Sequence, residues 1–83
     1  MRNLGPRSRE MLAKAGIVSD AQLKAMGAVA AFIAVKRAGG KPSLNLLWAL
    51  EGAITNRDWK EVAREDRSSL LTQLEAAEAR CKT

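Results

Sequence analysis

Ser43-Leu44-Asn45-Leu46-Leu47-Trp48-Ala49-Leu50-Glu51-Gly52-Ala53-Ile54 is the most apolar segment long enough for about three helical turns, and its reading decides the fold. Its large apolar residues spread round most of a helical wheel instead of forming one stripe, the pattern of a helix covered by neighbours on several sides. Lys41-Pro42-Ser43 supplies the start: proline costs least near a helix N-terminus, and Ser43 is placed to cap. Gly52 near the far end marks a backbone approached closely by another helix, or a weak last turn.

Outward from this centre the chain reads as helices throughout. Ala, Leu, Glu, Lys and Arg dominate, β-branched residues are few, and no two-residue hairpin signal occurs. The expectation is an all-α bundle of about five helices. The first starts at Pro6, carries Met11, Leu12 and Ala15, and stops at Gly16; Ile17 and Val18 then pack inward from a tight connection. Ser19-Asp20 opens a short second helix with Leu23 and Met26 inward, ended or bent by Gly27. A third runs from Ala28 to Ala38, with Val29, Phe32 and Ile33 on one face, and ends at Gly39-Gly40. Beyond the central helix, Asp58 caps a last helix with Glu61 three residues on, in the manner of a capping box. That helix runs from Trp59 to about Cys81 with Val62, Leu70, Leu71, Leu74 and Ala77 inward, and Asp66 to Ser69 offer a place for it to break.

A chain of 83 residues is one domain with one small core, here expected over about residues 3–74 with a helical tail at 75–83 that frays or packs on a second copy. One cysteine, Cys81, excludes an intrachain disulfide, and the absence of histidine removes the usual metal and acid-base chemistry. No metal and no cofactor are expected. The longest apolar run, Ala28 to Val35, is far short of the roughly 20 residues that span a bilayer, and the first residues lack the apolar core of a signal peptide. The expected setting is the cytoplasm, without a membrane.

Charge is distributed unevenly. The formal net charge is +5, yet residues 1–41 carry eight Lys or Arg against two acids, while residues 42–83 carry six against seven. A field concentrated on half of a small domain favours an anionic partner, nucleic acid above all. The most informative basic stretch is Asn3-Leu4-Gly5-Pro6-Arg7-Ser8, a short glycine-containing loop that feeds a helix start. Unpaired N–H groups and the helix dipole suit a phosphate there, although from the spacing alone a plain helix cap behind a surface loop is the favoured reading. Lys36, Arg37 and Lys41 flank the glycine pair, where they either complement the helix dipole or make a second phosphate contact. Trp48 and Trp59 read as core, Asn45 as a partner for a loop backbone, and Lys60 to Arg67 as a solvated face. Glu51 has no acid, base or metal partner in sequence, and no catalytic residue is expected.

Asn3-Leu4-Gly5-Pro6-Arg7-Ser8, with Leu12, Ala15-Gly16-Ile17, Ser19, Leu23 and Gly27-Ala28, resembles the helix-hairpin-helix family, a SAM-like arrangement. With Ser43 to Ala53 and Trp59 added, the chain more closely resembles the C-terminal domain of the TfoX/Sxy competence regulators, over about Asn3 to Leu71. The Asn-Leu-Gly-x-basic-Ser loop is also similar to one in the C-terminal domain of the bacterial RNA polymerase α subunit, where such a loop meets DNA phosphates. The chain reads as a free-standing copy of the domain, without the N-terminal domain of those regulators and without a helix ahead of Asn3.

The resemblance implies a non-enzymatic accessory domain of transcription regulation that contacts duplex DNA weakly and with little sequence preference. Its implied phosphate contacts are Asn3, Gly5, Arg7 and Ser8. The alternative is a protein-interaction module, either a homodimer through the last helix or a surface for a transcription factor or RNA polymerase.

Overall fold

The computed structural model describes residues 4–81. Among them every regular element is a helix: α1 (Pro6–Lys14), α2 (Asp20–Met26), α3 (Ala28–Arg37), α4 (Leu44–Thr55), α5 (Trp59–Glu65) and α6 (Arg67–Cys81). The expected class is correct, and the count is six because the last segment breaks at Asp66. There the Asp66 N–H donates to the Val62 carbonyl and the Asp66 carbonyl accepts from Leu70, so one residue closes α5 and opens α6. Its carboxylate is gripped through both oxygens by the Arg57 guanidinium, a two-pronged pairing that fixes the corner.

α4 is the hub that its composition demands. Leu47 and Leu50 are fully buried, Trp48 and Leu46 nearly so, and α4 packs on α3 and α5. Gly52 is buried as well, in keeping with a helix covered on several sides. Around the hub, Leu23, Phe32, Val35, Val62 and Leu70 complete one continuous core. Each fully buried aliphatic side chain removed from water contributes about 1.5–3 kcal/mol before the entropy of ordering is subtracted.

The helix ends follow their local chemistry. Pro6 sits at the first position of α1, Ser19 caps α2 by accepting from the Gln22 N–H at 3.1 Å, and Asp58 caps α5 by accepting from Lys60 at 2.9 Å. The Asp58 bond goes to the second helical residue, not to Glu61 as a capping box would have it. Gly27, at φ +87°, ends α2 and begins α3, a joint that an L side chain would strain. Asn56 in the left-handed region ends α4.

Val18 and Met26 lie outside the core that was expected to hold them. Ile17 is buried, but Val18 is 79 % exposed. The Gln22 side chain accounts for it: Nε2 donates to the Gly16 carbonyl at 2.7 Å and Oε1 accepts from the Val18 N–H at 3.1 Å, clasping the turn from outside. Met26 is also exposed, at the edge of a groove between α3 and α6. α6 stays helical to Cys81, and Glu78 in its last turns meets Lys36 of α3 at 3.0 Å.

Candidate nucleic-acid interface

The starts of α1 and α4 open onto one cleft of about 650 Å³. Arg7 and Ser8 come from the first turn of α1, with Met11 and Lys14 further along the same face. Lys41, Pro42 and Ser43 lead into α4, whose Asn45 and Leu46 continue the wall, and Trp59 at the first position of α5 closes one side.

Both helix starts are electrostatically open. The residue ahead of α1 is Gly5, which has no side chain to cap with, and Ser43 ahead of α4 makes no side-chain capping bond. Neither first turn carries an acid, whereas α2 and α5 are capped by Ser19 and Asp58 and bear Asp20 and Glu61 in their first turns. The positive ends of α1 and α4 are therefore left to whatever enters the cleft. Arg7, Lys14 and Lys41 add three cations. Among the described residues the one acid on the wall, Glu10, sits 3.9 Å from Lys14 in a pair that is largely exposed, an arrangement of little energetic weight.

The sequence candidates separate in space. Arg7, Ser8 and Lys41 meet in the cleft, and Gly5 stands at the start of α1 with an extended backbone and open space where a Cβ would project. Asn3 lies outside the described residues. Lys36 and Arg37 face another surface: Lys36 is engaged by Glu78, and Arg37 lines the groove between α3 and α6. Three cleft residues escaped the sequence reading. Arg7, Met11 and Lys14 share one helix face by their i, i+4, i+7 spacing, a signal that was available for Lys14. Asn45, expected to hold a loop backbone, is instead exposed on the cleft wall. Trp59, expected in the core, is 37 % exposed with the Lys60 ammonium 5.9 Å from its ring centre, while Trp48 is buried as expected.

The strongest electrostatic perturbations lie away from the cleft. The Arg57 guanidinium holds the Asp66 carboxyl below the usual carboxylate range, and the same bond raises Arg57. Burial pushes Glu51 upward, helped by the nearby Asp66 charge and opposed by Arg57. These groups secure the corner between α4, α5 and α6. Among the described residues no cluster of three or more His, Cys, Asp or Glu is placed to hold a metal ion, and no helix is long and apolar enough to cross a membrane.

No curated protein and no solved structure matches this chain. The model of the TfoX C-terminal domain matches residues 1–74, nearly the whole of the 83-residue sequence, and the chain belongs to the TfoX C-terminal domain family.

Proposed function

We propose that the domain binds duplex DNA through backbone phosphates seated in the cleft between the starts of α1 and α4. The reading is of a non-enzymatic accessory part of transcription regulation, in keeping with the competence regulators whose C-terminal domain defines the family. One observation carries it: two uncapped, acid-free helix starts and the cations Arg7, Lys14 and Lys41 converge on one cleft. Such a surface is sequence-tolerant, because phosphates position a protein on DNA without identifying bases. Among the described residues Asn45 is the single amide on the cleft wall, too little for base readout across several positions. Lys36 and Arg37 are not needed for this contact.

Reversing charge on the two surfaces separately tests the assignment. R7E/K41E is expected to abolish binding of a labelled mixed-sequence duplex near 50 mM salt, read by fluorescence anisotropy. R37E, on the other surface, should weaken it only through the long-range field of a two-unit charge change, about threefold or less at that salt. Equal losses in both variants would show that no particular cleft is used.

A further inference from the structure

The cleft at the starts of α1 and α4 contains more than phosphate contacts use. Its cations stand beside an apolar depth: Leu46 and Ala49 are buried, Met11 is half-buried, and all three line it. A phosphate meets such a floor only at the cost of its own desolvation, whereas the flat face of a nucleobase is stabilised by leaving water there.

Trp59 is the second feature that phosphate contacts leave unused. It stands at the first position of α5 and closes one side of the cleft, yet it is 37 % exposed. Anchorage of α5 comes from Val62, one turn on and fully buried in the core. The Lys60 ammonium lies over the Trp59 ring, 5.9 Å from its centre, so an aromatic surface and a cation are presented together. Asn45, exposed on the same wall, adds an amide whose donors and acceptor suit the edge of any base. A ring for stacking beside cations for the backbone is how proteins hold single-stranded nucleic acid without reading its sequence. In an intact duplex the bases are paired and stacked on one another, and none reaches such a ring.

We infer that the cleft seats an unpaired nucleotide, its base stacked on Trp59 over Met11 and Leu46 and its flanking phosphates at Arg7 and Lys41. The inference rests on the reading of the cleft as a phosphate site and adds the form of DNA that the site prefers. A blunt duplex is held by phosphates alone. A duplex with a single-stranded overhang also supplies a base, without the cost of opening a pair, and is held more tightly.

The probes are one labelled mixed-sequence duplex in three forms: blunt, with a short thymine overhang, and with an abasic overhang that has the same phosphates and no bases. Titrated with the full chain at low salt and followed by anisotropy, the thymine form should bind about fivefold more tightly than the abasic form, or better. It should also quench tryptophan emission, a signal from Trp59 because Trp48 is buried. Trp59→Leu keeps apolar bulk and removes the ring, so it should bind both overhangs equally and without quenching, while its circular dichroism and its affinity for the blunt duplex stay unchanged. Trp59→Phe keeps a ring and should retain most of the preference. A merely structural role for Trp59 would weaken blunt and tailed binding alike. Equal affinity of the full chain for the two overhangs, or a thymine preference undiminished in Trp59→Leu, would overturn the inference and leave salt-dependent binding of the blunt duplex standing. A thymine preference without any binding of the blunt duplex would support the inference and contradict the duplex reading. Failure to bind all three forms would overturn both.

Discussion

The basic cleft and the apolar groove differ in what the helices present to them. At the cleft two helices arrive end-on, with unpaired N–H groups and three cations; at the groove two helices lie side by side and present methyl and aliphatic groups. Their volumes are nearly the same, about 650 and 690 Å³. Volume therefore says little about ligand class. The direction of the helix axes and the charges at their ends say much more: end-on helices collect anions, and flank-on helices collect apolar surface.

Both surfaces stand on one core, and removing its centre should abolish them together. Leu47→Ala, at a fully buried position of α4, is expected to cost about 2–5 kcal/mol. Chemical unfolding followed by tryptophan fluorescence and by far-UV circular dichroism should give one coincident transition. Separate transitions would show that the α1–α4 and α3–α6 regions fold independently.

Two glycines separate the cleft from the core more finely. A Cβ on Gly40 would stand 2.9 Å from Val35 Cγ1 and 3.0 Å from the Val35 carbonyl oxygen, so Gly40→Ala must shift the linker that carries Lys41. The expected cost is about 1–3 kcal/mol, with weaker duplex binding and an unaltered α3–α6 groove. Gly5 faces open space with an extended backbone, so Gly5→Leu should cost only the poorer N-cap, about 0.5–1 kcal/mol, while crowding the α1 start and reducing duplex affinity. Equal stability losses at the two glycines would contradict the geometry.

Much of this was legible in the sequence, for reasons that differ from element to element. Pro6 and Gly16 bracket α1 by local backbone chemistry alone, and the apolar girth of residues 44–54 identifies the hub without knowledge of its neighbours. Val18 was misplaced because its position depends on the Gln22 clasp, which forms only once the turn and α2 are folded together. The break at Asp66 was visible as a run of poor helix formers, but its sharpness comes from Arg57, nine residues away. The cleft was half legible. Arg7 and Ser8 announce themselves beside Gly5, whereas the approach of Lys41 and Trp59 to α1 is set by packing across α4. Lys36 and Arg37 looked equivalent to Lys41 along the chain and fell on the other surface because α3 ends between them and the linker turns away.

Acid should act on the α5–α6 corner more than on the cleft. With Asp66 lowered by Arg57 below the unfolded carboxylate value of about 3.9, its contribution is fully present above that value and lost as pH falls through the folded one. Glu51 is raised by burial, so its sign is opposite: protonation relieves a cost of ionisation in the folded state. Thermal midpoints should thus be flat or slightly rising as pH drops from 7 towards 5, then fall below about pH 4. Asp66→Asn should remove most of the fall that this pair contributes. An unchanged acid limb in that variant would place the acid sensitivity elsewhere.

The central claim is that the cleft is a phosphate site, and the salt dependence of duplex binding tests it most directly. Anisotropy of a labelled mixed-sequence duplex, titrated from low to near-physiological salt, should give log affinity falling against log salt with a slope of roughly −2 to −4, as expected for two to four engaged phosphates. A duplex that is not bound even at low salt, or is bound with no salt dependence, would contradict it.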